Sequence, residues 1–509
     1  MIVAFTFEIR TGYGSDSMKN SNIMLKPWRH LTLALIMGQS TAMYSSTEPS
    51  SGVRIERDSL GEVAVPKGAL YGAQTQRAIE NFPVSGQPLP HPFIEAIVRI
   101  KKAAARTNQS LDLLADENAL AIIEAADILI EGKYADQFPI DVYQTGSGTS
   151  SNMNVNEVIS NLVNRSSGLK ISPNDHVNMG QSSNDVIPSA IHVSSALLVN
   201  KHLLPALDHL LDVMEKRRAE LEHTVKTGRT HMMDAMPVTF GQEISGWMAL
   251  LSNDRQRIKQ TLERLYQLTL GGTAVGTGTN THHDFAEKVS KQLSQDTGLP
   301  FKPANNFFAA QSMPASALEL SSDLRSVAVS LMKIANDLRL MNSGPLAGFG
   351  EIELPTLQPG SSIMPGKVNP VISESVTMAA AQIMGLDSAI AIAAQSGNFQ
   401  LNVMLPLIAN NLINSITLAT NSSMILADKA IAGFTVKEAH IKETLSRNPV
   451  LVTALNPVIG YMQAAEIAKQ AYREKRPVLE VAKEKTGMSE EALKKILDPG
   501  RATKGGIAK

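Results

Sequence analysis

The chain has 509 residues, of which 43% are hydrophobic, 19% charged and 5% aromatic. Its formal net charge of −1 offers no global field for nucleic acid or an anionic membrane, so a polyanion-binding role is disfavoured. Cysteine is absent, which excludes disulfides, thiolate metal sites and cysteine nucleophiles, and the chain suits a reducing cytoplasm. Abundant Ala, Leu, Ile and Met in place of aromatic residues favour extended helix packing, and so a mainly α protein.

Residues 1–50 differ from the rest of the chain. A short apolar run, LTLALIMG at 31–38, follows basic residues and precedes small ones, which weakly resembles a secretory signal. The run lies far from the start and is too short to span a bilayer, and Glu8 and Asp16 do not suit a transit peptide. We therefore expect either a disordered extension or a start site assigned too early.

The next part of the chain changes from turns to helices. The segment from Val53 to Pro90 is rich in glycine, proline and turn residues, and we expect an irregular entry that contains one hairpin. Helical periodicity follows from near Phe93 to about Tyr134.

The stretch QTGSGTSSNMNVNEV at 144–158 opens on glycines and hydroxyls and closes on a helix. Backbone N–H groups at such a helix start, with the hydroxyls of Ser147 and Thr149, suit carboxylate or phosphate oxygens. The Gly-Lys-Ser/Thr of a P-loop is missing, so a nucleotide loop is rejected. The competing interpretation, favoured for this stretch taken alone, is a helix N-cap with a flexible loop that binds no ligand.

A second polar cluster, SPNDHVNMGQSSND, occupies 172–185. Its acidic, amide and imidazole groups hint at a divalent metal, but the spacing matches neither an EF-hand nor a zinc site, so we expect no metal. Three short polar groups lie directly before a long helix and can point together at one ligand: Ser182, Ser183 and Asn184.

Long helices fill the middle of the chain, because apolar residues recur at i, i+3, i+4 and i+7. The stripes are Leu203, Leu207, Leu210, Leu211 and Met214; Ile244, Trp247, Met248, Leu251, Ile258, Leu262 and Leu265; and Leu324, Val327, Leu331, Ile334 and Leu338. The last stripe suits nearly parallel helices in a bundle, and 405–426 predicts a further long helix. Helices this long and broadly apolar bury poorly in a monomer, so we expect a homo-oligomeric bundle.

The stretch KTGRTHMMDAMPVTFGQE at 226–243 has the composition of a loop. Its chemically useful members are Thr230 and His231, while Arg229 and Asp234 are predicted to form a structural ion pair. A solitary histidine is more often a surface or satisfied core residue than a catalyst.

The glycine cluster GGTAVGTGTN at 271–280 interrupts the helices once more and is a candidate to flank a site. It does not follow the GxGxxG pattern and no strand precedes it, so a Rossmann site is rejected.

The run GSSIMPGKVNP at 360–370 is a loop between helical flanks, because prolines and glycines interrupt it. It carries two hydroxyls, on Ser361 and Ser362, one cation, Lys367, and one amide, Asn369. This inventory suits an anionic substrate and the exchange of a proton with it, although a surface linker is an equal alternative for the run alone.

Four polar loops, at 144–157, 181–185, 228–234 and 360–370, are thus separated by long helices. Helix bundles can bring loop ends together. Combined, the loops offer hydroxyls, amides, a lysine and a histidine, but no metal cage and no nucleotide loop. This is an inventory for binding a small di-acid and moving protons.

In their order and residues, these motifs resemble the fumarase/aspartase superfamily, over roughly 53–500. Within it the chain is similar to class II fumarate hydratases. His231 stands where aspartate ammonia-lyases usually have glutamine, and Gly366 where they tend to have alanine. The stretch ALNPVIGYMQAAEIAK at 454–469 is also similar to fumarases.

The resemblance implies a mainly α, three-domain fold whose central long-helix bundle assembles into the twenty-helix core of a tetramer. The corresponding domains are an N-terminal lyase domain at 51–181, a central helical-bundle domain at 182–438 and a small C-terminal helical domain at 439–509. It further implies a small dicarboxylate substrate, a homotetramer with each active site built from three subunits, and no cofactor, nucleic acid or membrane.

The implied reaction is the reversible, metal-independent hydration of fumarate to L-malate, a step of the tricarboxylic acid cycle. Ser361 corresponds to the base that removes the C3 proton of malate, His231 to its partner on the hydroxyl side, and Glu374 to the glutamate that pairs with that histidine. The family's substrate-binding positions fall on Ser147, Gly148, Thr149, Ser182, Ser183, Asn184, Thr230, Ser362, Lys367, Val368 and Asn369.

The family's second, non-catalytic dicarboxylate site corresponds to Ser172, Pro173, Asn174 and Asp175. Ser172 stands where many bacterial members carry histidine, which puts this accessory site in question. Two alternatives to a hydratase stay open at this point. One is an aspartate ammonia-lyase or a related succinyl-compound lyase, against which His231 and Gly366 argue, and the other is a catalytically silent helical scaffold.

Overall fold

A computed structural model describes residues 52–506 of the chain. The extension or early start predicted at 1–50 lies outside the described residues. Within them, the structure is dominated by helices, as the composition predicts.

The helices run in chain order from the first short segment to the C-terminal region. They are α1 (Ala73–Asn81), α2 (His91–Ser110), α3 (Asp116–Ile130), α4 (Thr149–Ser167), α5 (Ser183–Leu198), α6 (Leu204–Glu220), α7 (Phe240–Leu265), α8 (Phe285–Thr297), α9 (Phe307–Ser312), α10 (Ala315–Met341), α11 (Val371–Ala394), α12 (Leu405–Leu426), α13 (Glu438–Ser446), α14 (Asn456–Ile459), α15 (Tyr461–Glu474), α16 (Val478–Thr486), α17 (Glu490–Ile496) and α18 (Pro499–Ala502). The predicted helix at 405–426 is confirmed as α12.

Short strands pair two by two. They are β1 (Val53–Asp58), β2 (Gly61–Pro66), β3 (Val225–Thr230), β4 (Met233–Thr239), β5 (Gln267–Leu268), β6 (Lys302–Pro303), β7 (Ile352–Glu353), β8 (Gly397–Asn398), β9 (Leu401–Asn402) and β10 (Thr435–Val436). β1 and β2 form the predicted entry hairpin. The prediction of a loop at 226–243 is wrong, because β3 and β4 pair there as an antiparallel hairpin and α7 begins directly afterwards.

The long helices α6, α7, α10, α11 and α12 pack as a bundle. The predicted stripe on α10 faces its core, since Leu324, Val327, Leu331, Ile334 and Leu338 are all fully buried. At one end of the bundle the buried indole of Trp247 on α7 donates to Asp337 Oδ2 on α10 at 3.0 Å. The i, i+3, i+4 periodicity therefore predicts both the helices and their inward faces.

Helix α11 is unusual because it is apolar and yet largely uncovered. Its mean hydropathy of 1.5 and its length are sufficient for a membrane span, while only 33% of its most apolar window is buried. It packs on α10 and α12 within the bundle. Met378 is 68% exposed and Ile392 60% exposed on its outer side.

A second, smaller hydrophobic core lies in the C-terminal region. It is formed by buried residues between Val452 and Leu497, separate from the main core that extends to Ile441. The domain boundaries drawn from the resemblance, including the small C-terminal helical domain at 439–509, stay a prediction.

Candidate active site

The hairpin of β3 and β4 presents Thr230 and His231 at its tip. Thr230 pairs with Met233 across the strands, so His231 and Met232 alone form the turn. Both turn residues adopt positive φ, 56° and 61°, which is the left-handed conformation that a two-residue hairpin turn requires. A non-glycine residue held in this conformation often marks a functional site, because the surrounding structure must offset the strain. Thr230 and His231 are both exposed.

Buried ion pairs hold the base of this hairpin. Glu351, which is 2% exposed, forms ion pairs with Arg229, whose Nη1 lies 2.7 Å from Oε1, and with Lys226, whose Nζ lies 3.1 Å from Oε2. The Arg229 guanidinium also stacks on the Phe349 ring, 4.4 Å from its centroid. Arg229 and the predicted partner Asp234 approach only to 4.0 Å, so the main carboxylate partner of Arg229 is Glu351. The predicted pair is therefore secondary, because the buried Glu351 lies closer than an exposed group on the opposite strand.

Two predicted loops meet at the start of α5. The hydroxyls of Thr149 and Ser183 lie 2.6 Å apart, which joins the glycine-rich start of α4 to the SSN segment. Ser182 caps α5 in a reciprocal capping box with Asp185. Asn184 Nδ2 donates to Ala274 O at 2.8 Å, so the glycine cluster at 271–280 does flank this group.

A buried lysine that the motif analysis missed lies beneath these hydroxyls. Lys101 on α2 is fully buried, and its Nζ donates to Asn178 Oδ1 at 2.8 Å and to Gln181 Oε1 at 3.0 Å. Burial lowers the pKa of Lys101 to about 7, because a charged ammonium is poorly solvated there. The sequence does indicate that Lys101 is buried, because it falls on the apolar face of α2, four residues after the buried Ile97.

The acid that faces this lysine is Asp185. Burial raises its pKa to about 6, while backbone N–H groups of Ser182, Thr273 and Gly271 act in the opposite direction. The carboxylate accepts from Thr273 N at 2.9 Å and from Gly271 N at 3.1 Å. Asp185 therefore ties the start of α5 to the glycine cluster.

The loop at 360–370 is closed upon itself. Gly360 N donates to Lys367 O at 2.9 Å, and Asn369 Nδ2 donates to Gly360 O at 2.6 Å. A side chain at Gly360 would place its Cβ 2.5 Å from Lys367 O, so the loop needs glycine there. Asn369 thus has a structural contact in addition to its predicted role.

Within this loop, Ser361 Oγ accepts two backbone hydrogen bonds. Met364 N donates at 3.0 Å and Ile363 N at 3.2 Å. Such N–H groups stabilise an alkoxide more than a hydroxyl, because the interaction grows with the negative charge on the oxygen. Ser362, Lys367 and Val368 are exposed. Two backbone N–H groups thus point at the hydroxyl that the resemblance assigns as the base.

The loop that carries Ser147 and Gly148 packs tightly against the segment before α12. Leu405 N donates to Gly146 O at 3.1 Å. A Cβ added to Gly146 would lie 1.7 Å from Val403 O, a separation that no real side chain can adopt. Gly148, with φ of 74°, then begins α4. The glycines of this motif therefore serve close packing as well as the turn.

One chain does not bring all the predicted residues together. Within residues 52–506, no hydrogen bond or ion pair links the Ser361 loop to the hairpin tip or to the Thr149 and Ser183 pair. Glu374 lies in the first turn of α11 and is exposed, without a contact to His231 among the described residues. Among the described residues, the predicted site residues therefore fall into three groups that no hydrogen bond or ion pair connects.

At the predicted second dicarboxylate site, the side chain of Ser172 is used locally. Ser172 Oγ donates to Asp175 Oδ2 at 2.8 Å and accepts from Asp175 N at 3.1 Å. These bonds close the turn Pro173–Val177. Asn174 and Asp175 are exposed, and His176 Nδ1 accepts from Ser172 N at 3.0 Å.

In the described part of the chain, one group of side chains has the spacing for a metal ion: His282, His283 and Asp284. They lie in the segment before α8. The two imidazoles stack with centroids 4.2 Å apart, and His283 is largely exposed.

Comparison with known proteins first gives the class. A lyase family model matches residues 61–385, and a model described as the fumarase C C-terminus matches residues 451–504. The fold agrees with this class. A class II fumarase structure from Schistosoma mansoni superimposes with a TM-score of 0.86 at 38% identity, covering 89% of this chain and 99% of that one.

The relatives then narrow the class. A protein of Pseudomonas aeruginosa named fumarate hydratase class II 2 is 57% identical over 454 residues, which is 89% of this chain and 99% of the relative. A fumarate hydratase class II of Mycobacterium tuberculosis is 50% identical over 430 residues, covering 84% and 90% of the two chains. The chain belongs to the class II fumarate hydratase family.

Proposed function

We propose that this chain catalyses the reversible, stereospecific hydration of fumarate to L-malate. The observation that carries the proposal is the complete set of family motifs on a fumarase fold, with 57% identity to a fumarate hydratase class II over 89% of the chain. The alternative, an ammonia-lyase acting on aspartate or a related succinyl compound, is not favoured, because the relatives are hydratases.

Proton removal is assigned to Ser361. In the direction of dehydration, its alkoxide takes the C3 proton of malate, and the electron pair of the C–H bond moves into the adjacent carboxylate. A serine hydroxyl is a poor base, so its alkoxide must be stabilised. This assignment is supported by the two hydrogen bonds that Ser361 Oγ accepts from the backbone N–H groups of Ile363 and Met364.

The intermediate is an aci-carboxylate with about one additional negative charge, which must be neutralised as it forms. Lys367 and Asn369 belong to the same loop as the base and can supply a cation and an amide donor. The C2 hydroxyl then departs as water once it receives a proton. His231 is assigned to give that proton, with Glu374 assigned as its partner.

Substrate carboxylates are assigned to the remaining hydroxyls and amides. The hydroxyls of Thr149 and Ser183, 2.6 Å apart, share one hydrogen bond and leave one hydroxyl hydrogen for a substrate oxygen. Ser147, Ser182, Asn184 and Thr230 complete the set. We assign no role to the second dicarboxylate site, because Ser172 already bonds within its own turn.

A homotetramer with shared active sites is part of the same proposal. The apolar outer side of α11 and the separation of His231 from Glu374 within one chain both support assembly as part of the site. A cytoplasmic location remains our prediction from the sequence.

The proposal is tested by following the ultraviolet absorbance of the fumarate double bond with purified protein. Separate reactions contain malate, fumarate or aspartate. Malate is expected to generate absorbance, fumarate to lose it, and aspartate to remain unchanged. Release of ammonia from aspartate would overturn the hydratase assignment, and absence of all three changes would favour a silent scaffold.

A further inference from the structure

The geometry points to Lys101 as a positioning residue for substrate binding, whose buried ammonium group fixes the direction of the hydrogen bonds that reach Ser183 and Thr149. This inference rests on the proposed function, since it concerns the carboxylate-binding hydroxyls of that site. Lys101 does not touch substrate and acts through two asparagines.

The first step is the pair of side-chain amides that Lys101 holds. Lys101 Nζ donates to Asn178 Oδ1 at 2.8 Å and to Gln181 Oε1 at 3.0 Å. The other ends of these amides donate to backbone carbonyls, Asn178 Nδ2 to Gln181 O and Gln181 Nε2 to Val177 O, both at 3.2 Å. An ammonium group can only donate, so both amide oxygens face it, in the orientation that these backbone bonds and a further donor to Asn178 Oδ1, Asn156 Nδ2 at 3.3 Å, also favour.

The second step is that the orientation of the Asn178 amide determines the orientation of the Asn152 amide. Because Asn178 Oδ1 is only an acceptor, Asn152 must turn its Nδ2 towards it, at 3.2 Å. The same Nδ2 donates its second hydrogen to Ser183 Oγ at 3.0 Å. Asn152 Oδ1 is buried and has no hydrogen-bond partner among the described residues, so its own contacts do not impose this orientation.

The third step concerns the hydroxyl hydrogens. Ser183 Oγ receives a hydrogen from Asn152, so its own hydrogen is directed to Thr149 Oγ1 at 2.6 Å or outward. In either arrangement the two hydroxyls keep one hydrogen for a ligand oxygen. A flipped Asn152 would present Oδ1 to Ser183 and draw that hydrogen inward, which would leave a substrate carboxylate with one donor fewer.

The experiment compares Lys101→Met with Lys102→Met. Methionine fills the buried volume of Lys101 without charge or donors. Lys102, the next residue of α2, instead pairs with Asp127 on α3, so its replacement controls for general damage to the helix. The assays give KM and kcat for fumarate, and the inhibition constant of succinate, a saturated dicarboxylate that cannot undergo the reaction.

We expect Lys101→Met to raise KM and the succinate inhibition constant together by roughly 10-fold or more, as for a lost hydrogen bond to a charged group. The kcat should change by less than about threefold, because the residue serves ground-state and transition-state binding alike. Lys102→Met should leave all three values near those of the parent. Unchanged KM and succinate inhibition in a folded Lys101→Met protein, or equal losses in both variants, would overturn the inference.

A measurement on the unmodified protein covers the case in which Lys101→Met does not fold. Asp185 is the charged group that acts on Lys101. Among the other titratable groups on the packed helices, Asp127 pairs with Lys102, and Glu157 on α4 binds the start of α1. His192 on α5 is buried, which lowers its pKa, and its Nδ1 lies 2.8 Å from Gln267 O. Glu287 and Lys291 on α8 are exposed. Helix α12 carries no charged residue.

Lys101, with a pKa of about 7, loses its charge as the pH rises above neutrality. Fumarate carboxyls stay ionised throughout this range. The neutral amine gains a lone pair that an amide N–H can face, so the orientation of Asn178 is no longer imposed. The KM for fumarate should therefore rise between pH 7 and pH 9, above the pKa of Asp185, and a KM that stays flat there would contradict the inference. If the parent protein hydrates no fumarate, the proposed function fails, while succinate affinity across the two lysine variants still tests Lys101.

Discussion

At the scale of single residues, Ser361 combines two properties that bear on its proposed role. Its Oγ accepts from two backbone N–H groups, and it lies in a loop held shut by Gly360 and Asn369. The local backbone thus provides an environment for negative charge before any substrate arrives. An oxygen prepared in this way suits the removal of a weakly acidic proton.

Replacement of Ser361 by alanine should therefore abolish the base while leaving the loop closed. We expect kcat to fall roughly 100-fold or more, the scale of a lost general base, with little change in the thermal midpoint. Fumarate absorbance and a melting curve provide the two measurements. Ser446→Ala, on the exposed end of α13, is the matched control, and near-normal turnover of Ser361→Ala would refute the assignment.

Gly146 gives a residue-scale prediction of a different kind. An alanine there would place Cβ 1.7 Å from Val403 O, so the glycine-rich loop or the segment before α12 must move. We expect Gly146→Ala to lower both the melting temperature and activity. Gly246→Ala is the control, because Gly246 lies on α7 with open space around it, and alanine should be neutral or stabilising by about 0.5–1 kcal/mol. Equal behaviour of the two variants would show that the close contact is unimportant.

At the scale of elements, the β3–β4 hairpin is anchored by charge and not by a sheet. Only two strands pair there, and a lone hairpin is marginally stable in water. Glu351, between Lys226 and Arg229, connects β3 to the segment just before β7. The position of Thr230 and His231 consequently depends on a carboxylate more than a hundred residues further along the chain.

Glu351→Ala should destabilise the protein by about 3 kcal/mol, because it leaves Lys226 buried and poorly paired. Glu243, 3.6 Å from Lys226 Nζ, compensates only in part. Urea unfolding at matched protein concentrations measures the difference. Glu353→Ala removes a mostly exposed partner of Lys437 two residues away, and should cost less than about 1 kcal/mol. Comparable losses in the two proteins would argue against an anchoring role for Glu351.

The same elements indicate what the sequence can predict. Regular apolar spacing predicts the bundle helices and their buried faces, because burial itself selects that spacing. The hairpin at 225–239 escapes prediction, since Gly228 and Pro237 interrupt the strands and tertiary ion pairs stabilise them. Motifs identify the site loops individually. Their relative positions, and the role of Lys101 below them, depend on packing between distant segments, which no local pattern contains.

At the scale of the whole molecule, α11 is the helix whose exposed apolar side a single chain leaves uncovered. Only 33% of its most apolar window is buried, and it carries Glu374 in its first turn and directly follows the Ser361 loop. A second chain that covers the outer side of α11 would lie close to both Glu374 and the Ser361 loop. Assembly and catalysis should therefore be lost together.

This coupling is tested with Met378→Glu, which puts a charge on the exposed side of α11. We expect smaller particles by light scattering or sedimentation and a loss of activity in the same fractions. Leu60→Glu, on the turn of the β1–β2 hairpin, places the same charge at another exposed apolar residue, 80% exposed, and should leave the assembly intact. A fully active monomer of Met378→Glu would contradict shared active sites.

The uncovered face of α11 also has a consequence in time. In the proposed assembly, a newly folded chain exposes this apolar surface until it binds a second chain. During that interval, aggregation competes with productive association. The rate at which activity returns after unfolding should thus be limited by collision of chains. In dilute solution this rate should increase with protein concentration, whereas at high concentration the yield of active protein should fall.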